Sequence, residues 1–243
     1  ENTYSPAPGA SYESSGDWNV LPNIYYSQPI GDKGLSIGLG ITTPYGQGLA
    51  WNQSDFENLL SPANPISIYE ASVMMLDFNP TVAFKATDSL YIGIGLDIYY
   101  STLELDAVGA AGPPPFYDAS GEGDSFGLGA NVGITWLPTD AQRVALTYRS
   151  QVKMDYKGDY SSPIPNNGNF ETSIQYPNII GVGYGIQFAE KVKLEALVEW
   201  LEWSSNEGQT LDAGGNMLTV DNDWDNTLTF GIGGSWDIND SFV

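Results

Sequence analysis

The chain has 243 residues, of which 30 are acidic and 8 basic, for a net charge of −22, and it contains neither cysteine nor histidine. That composition excludes disulfide scaffolds, Cys/His zinc sites, thiol nucleophiles and histidine triads, and it leaves too few cations for a nucleic-acid partner. No run of 18 apolar residues occurs, which excludes a membrane-spanning helix but not a barrel of alternating strands.

In chain order, period-two alternation predicts strands over 18–29, 35–44, 71–85, 90–104, 125–137, 142–157, 171–188, 191–204 and 226–237. Along 90–104, Leu90, Ile92, Ile94, Leu96, Ile98 and Tyr100 form one face, opposed by Tyr91, Gly93, Gly95, Asp97 and Tyr99. Along 125–137, Phe126, Leu128, Ala130, Val132, Ile134 and Trp136 alternate with glycines, Asn131 and Thr135. Along 142–157, Val144, Leu146, Tyr148, Val152, Met154 and Tyr156 share the apolar face, against Arg143, Thr147, Arg149, Gln151, Lys153 and Asp155. The connections at 30–34, 86–89, 138–141, 189–190 and 238–240 are short. Those at 45–70, 105–124, 158–170 and 205–225 are long and rich in Pro, Gly, Asn and acidic residues. Alternating short and long connections belong to outer-membrane barrels, with tight periplasmic turns and longer external loops. Aromatics near the ends of apolar faces (Trp18, Tyr100, Trp136, Phe188, Trp200, Trp236) suit an interfacial girdle. The expected fold is all-β, an antiparallel transmembrane β-barrel. A soluble β-sandwich or barrel is the alternative, and its loops need not alternate in length.

The stretch Phe126 to Ile134, followed by Ala145-Leu146-Thr147-Tyr148-Arg149-Ser150-Gln151-Val152-Lys153-Met154-Asp155-Tyr156-Lys157-Gly158-Asp159-Tyr160, resembles the FadL/TodX-type long-chain fatty-acid transporters of the outer membrane. Leu21-Pro22-Asn23-Ile24 leading to Gly40-Ile41-Thr42-Thr43-Pro44-Tyr45-Gly46, and the strand end from Glu199-Trp200 to Trp203-Ser204, agree in order. The resemblance implies a monomeric barrel of about fourteen strands, an even number within the range of such proteins. The sequence supplies about nine, with the start of another at Ser241. Residues 1–243 are therefore expected to be one barrel domain, incomplete at both ends, with a plug and first strand before Glu1 and closing strands after Val243. The resemblance also implies passage of hydrophobic compounds into the lumen and then sideways through an opening where one strand bends inward. Gly38, Leu39 and Gly40 of strand 35–44 align with that bend; alternatively, the two glycines only fill a crowded lumen face.

The lumen candidates are Arg143, Arg149 and Lys153 beside Asp155, with Asp97, Glu195 and Glu199. An inward basic pair could hold a fatty-acid carboxylate by charge-assisted hydrogen bonds; an internal salt-bridge network is the ordinary reading of such a set. Trp51, Phe56, Leu59, Leu60, Phe116 and Tyr117 offer an external capture site for a greasy solute, or a loop packing its own cluster. Asp221, Asp223 and Asp225 have the spacing of a calcium loop without its glycine or terminal glutamate, so a solvated acidic loop is the expectation and weak Ca²⁺ binding the alternative. No cofactor and no enzymatic chemistry is implied. The reading is a passive channel for long-chain fatty acids or aromatic hydrocarbons in the outer membrane of a Gram-negative-type cell, with membrane lipid and hydrophobic small molecules as its partners. The runner-up is a structural or adhesive barrel.

Overall fold

The computed structural model describes residues 2–5, 11–15, 20–61, 65–110, 116–163, 167–189 and 191–236. Trp18, the 238–240 turn and the strand start at Ser241 lie outside these residues. A short pair, β1 (Thr3–Tyr4) and β2 (Tyr12–Glu13), stands apart. The rest is one antiparallel sheet. It begins with β3 (Ile24–Ile30), β4 (Leu35–Ala50), β5 (Ile66–Thr87), β6 (Leu90–Gly109) and β7 (Tyr117–Thr139), each paired with the next. Between β4 and β5 lies a helical turn, α1 (Gln53–Glu57), capped by Asn52, whose Oδ1 accepts the Ser54 N–H at 3.1 Å.

Beyond β7 every wall strand comes in two pieces, interrupted at one common level. They are β8 (Gln142–Arg149) with β9 (Val152–Ser161), β10 (Gly168–Tyr176) with β11 (Ile179–Ala189), β12 (Val192–Leu201) with β13 (Gly208–Ala213), and β14 (Asn216–Asp221) with β15 (Thr227–Trp236). Joining the pieces leaves nine staves among the described residues, as the periodicity predicts. The sheet is open, with β3 at one edge and β14 and β15 at the other. The sequence reading ran 142–157 and 171–188 through as single strands. Pro177, which has no N–H to give to a ladder, helps break the second. Asn178 takes over the lost bonds. Its Oδ1 accepts from Tyr148 Oη (2.8 Å) and from the Gln151 N–H (2.9 Å), and its Nδ2 donates to Glu202 Oε2 (2.6 Å).

The long connections are shorter than composition suggests. Strand β4 runs on to Ala50, β5 starts at Ile66, and β6 and β7 fill most of 105–124. Segment 205–225 contains the β13–β14 hairpin, closed by Gly214 and Gly215 at φ 61° and 87°, the positive values a type I′ turn demands. The short–long alternation therefore holds through the β9–β10 connection and fails only at the β13–β14 turn among the described residues. Much of the outward face of these extensions is polar. Glu104, Glu122 and Asp159 lie side by side on three neighbouring strands and are all exposed.

Outward-facing residues of the lower wall form an apolar belt, including Ile94, Leu96, Leu128, Val182, Phe230 and Ile232, all exposed. Inside the upper wall, Met75, Tyr99, Leu103, Met154, Tyr156, Phe170 and Tyr176 pack into one buried cluster. Val152, Met154 and Tyr156 thus point inward, opposite to the expected apolar outer face. Lys153 and Asp155, expected in the lumen, project from the other face, 59% and 58% exposed and 3.0 Å apart. The cause is a one-residue slip between β8 and β9, because pairing shifted by one residue turns every later side chain over.

Candidate functional site

The inward face of β5 to β8 carries a charge cluster. Arg149 Nη2 lies 3.2 Å from Asp77 Oδ2 and 3.5 Å from Asp97 Oδ1. Asp97 Oδ1 also accepts from Asn79 Nδ2 (2.9 Å) and Asn131 Nδ2 (2.7 Å), and Asn79 Oδ1 accepts from Thr81 Oγ1 (2.7 Å). Both aspartates are fully buried. Two carboxyl groups thus compete for one guanidinium. Both oxygens of Asp77 and Oδ2 of Asp97 lack a hydrogen-bond partner among the described residues. Buried acceptors left in that state cost free energy. Next to the cluster, the hydroxyls of Ser101, Tyr156 and Tyr176 form a chain with separations of 2.8 and 3.0 Å, and Ser101 Oγ donates to the Met74 carbonyl at 3.0 Å. The Tyr45 ring lies 4.5 Å from that of Tyr176.

Beside these groups lies a cavity of about 510 Å³, lined by Tyr25, Gly38, Gly40, Thr42, Pro44, Asp77, Asn79 and Arg149 among others. That volume is in the range of small-molecule sites. Leu39 also borders it, so the three residues aligned with the strand bend all reach the cavity. The ladder is intact at the glycines, however. Gly38 pairs with Ser27 and Thr81, and Gly40 with Tyr25 and Asn79. The irregularity lies further on, where Thr43 and Pro44 together face Leu76 alone, between the Thr42–Asp77 and Tyr45–Met75 pairs. Two residues opposite one make a β-bulge, which bends the strand, and a proline in a strand interior is confined to such places. Pairing with β3 ends just before it, at Ile24–Ile41.

Of the other lumen candidates, Arg143 is ion-paired with Glu195 across β8, β11 and β12. Glu199 pairs with Gly181 and Thr229 on the same face of β12 as Glu195. Both inward arginines therefore already have carboxylate partners. Sequence reasoning missed Asp77, Asn79 and Asn131, the tyrosine chain and the bulge. The Thr42-Thr43-Pro44 run inside an otherwise alternating strand was the available signal. In the β5–β6 turn, the hydrogen bond from Lys85 holds the Asp88 carboxyl below its ordinary range.

The proposed capture residues do not form one surface. Trp51 and Phe56 join Tyr4 and Tyr12 in a small aromatic cluster, with Trp51 to Phe56 at 5.5 Å, and Phe56 is buried. Leu59 and Leu60 are half-buried at the end of α1. Phe116 is exposed, whereas the Tyr117 ring lies over Gly109 and packs against the interior cluster. Asp221 ends β14, Asp223 takes a positive φ of 44°, and Asp225 lies before β15; no acidic group of three or more converges to hold a metal among the described residues.

The family described as "Outer membrane protein transport protein (OMPP1/FadL/TodX)" matches residues 5–243. The chain belongs to this family. It is 29% identical over 180 residues to a "Long-chain fatty acid transport protein" of Escherichia coli O6:H1, covering 65% of this chain and 39% of that protein. It is 25% identical over 173 residues to a "47 kDa outer membrane protein" of Pasteurella multocida, covering 68% and 40%. Among solved structures, a Pseudomonas aeruginosa FadL homologue superposes with a TM-score of 0.78 at 19% identity, over 90% of this chain and 57% of that one. The Pseudomonas putida toluene transporter TodX gives 0.73 at 15%, over 96% and 68%. The chain spans about two fifths of the length of these curated relatives. Within the FadL/TodX family it is a wall segment of an outer-membrane β-barrel, and two of these relatives, the Escherichia coli protein and TodX, carry transport in their names.

Proposed function

We propose that this chain forms the wall of a monomeric, passive channel for hydrophobic compounds such as long-chain fatty acids or aromatic hydrocarbons, with a lateral exit at the Thr43–Pro44 bulge of β4. The observation that carries this reading is the cavity that runs from the Arg149–Asp77 pair to Thr42 and Pro44. Beyond Ile41 the β3–β4 ladder stops, so a solute leaving there breaks no strand pairing. That route suits a greasy molecule, which would pass from cavity to lipid without crossing the polar periplasmic end. The family membership and the toluene and fatty-acid relatives support the solute class. The test is uptake of radiolabelled toluene and oleate by vesicles carrying the intact protein. Uptake of at least one well above that of empty vesicles is expected; uptake of neither would overturn the channel.

A further inference from the structure

Strand β7 is paired with its next neighbour twice, and between the two stretches it is not. Asn131 to Trp136 pair with β8, and Ser120 to Asp124 pair with β9. Among the described residues no backbone pairing joins 125–129 to 151–156. Ser150 seals the lower end: its N–H donates to the Ala130 carbonyl (2.9 Å) and its Oγ accepts from the Ala130 N–H (3.0 Å). Above that point six residues of β7, 125–130, stand opposite seven, 150–156, so the ladder cannot continue in register.

The gap is filled by side chains. A Cβ at Gly127 would lie 2.4 Å from Met154 Sδ and 2.7 Å from Val152 Cγ2, so both side chains sit directly over the glycine and would have to shift to admit a larger residue there. Outside, one lip of the gap is apolar, with Phe126 and Leu128 73% and 69% exposed. The other lip carries the Lys153–Asp155 ion pair. The gap therefore sits at the outer edge of the apolar belt, where lipid tails give way to headgroups. Unpaired strand groups against lipid cost several kcal/mol each, yet the fold keeps them here. The filling side chain is methionine, unbranched and able to change rotamer without rebuilding its surroundings.

We propose that this seam is a second lateral passage, through which hydrophobic solutes move between the lumen and the outer edge of the bilayer, with Met154 as its gate. The proposal rests on the channel reading above. The given chain has no cysteine, so the pair Gly127→Cys/Met154→Cys, placed in the intact protein, ties the seam on oxidation and frees it on reduction. Toluene uptake by vesicles is the readout, with heat-modifiable gel mobility reporting the folded barrel. The expected result is uptake at least threefold lower oxidised than reduced. Met154→Ala, which keeps Gly127, is expected to raise uptake at least twofold. Equal uptake in both redox states, or a folded Met154→Ala protein indistinguishable from the active wild type, overturns the seam and leaves the channel standing. A wild-type protein that takes up no toluene overturns the channel, and the seam with it.

Discussion

Arg149 holds its part of the wall together by facing two buried carboxylates at once. Removing one partner of a buried ion pair strands the other charge away from water, which costs about 3–5 kcal/mol. Arg149→Met is expected to destabilise the barrel by about that amount, since Asp77 and Asp97 would be left with no cation. Adding Asp77→Asn to it should recover a substantial part, because one of the two stranded charges disappears. Urea titrations of the intact protein in lipid vesicles measure both; a double variant no more stable than the single would show that the aspartates do not repel each other there. Arg149 and Asp97 were legible in the sequence because they fall on the polar face of clear alternations. Asp77 was not, since Met74, Met75 and Leu76 run into it without alternating and hide its facing. Lys153 and Asp155 were misplaced for a different reason. Alternation carries facing only as far as the ladder keeps its register, and nothing in Ser150-Gln151 announces a one-residue slip.

At the scale of elements, the nine staves follow from period two, whereas their ends and interruptions do not. Composition marks Tyr117 to Asp124 as loop, because Gly, Ser and acids dominate it. The structure makes it strand, because its backbone groups find partners on β6 and, from Ser120 to Asp124, on β9, with Asp118, Ser120, Glu122 and Asp124 exposed and Ala119 and Gly121 buried on the inner face. Pro177 was the readable warning of a break and was read through. The β4 bulge has a sharper consequence. Two residues, Thr43 and Pro44, face one, so deleting Pro44 leaves one opposite one and restores the register on both flanks. The Pro44 deletion is expected to give a folded, heat-modifiable barrel with impaired toluene or oleate uptake. Uptake at the wild-type rate by that folded variant would remove the bulge from the exit route.

For the whole molecule, the decisive property is that one face of the sheet meets lipid and the other a polar lumen. Ile94 is 57% exposed on the belt, paired with Val132, while Gly133 lies on the inward face with open space where a side chain would go. Ile94→Arg is expected to cost about 2–4 kcal/mol, the depth-dependent cost of a cation on the lipid face. Gly133→Arg should fold close to wild type. Equal folding yields of the two in vesicles would contradict the assignment of faces. The same sheet is a meander: through all nine staves, each is hydrogen-bonded to its neighbour in sequence. Its assembly can therefore proceed as a zipper, one hairpin at a time, with only a short loop to close at each step and the entropy of closure correspondingly small. Between β7 and β9 the zipper skips teeth, as it does between β10–β11 and β12–β13. Past such a gap the next pair closes a longer loop than the next rung of a continuous ladder would, so the seating of Met154 over Gly127 carries the larger closure cost.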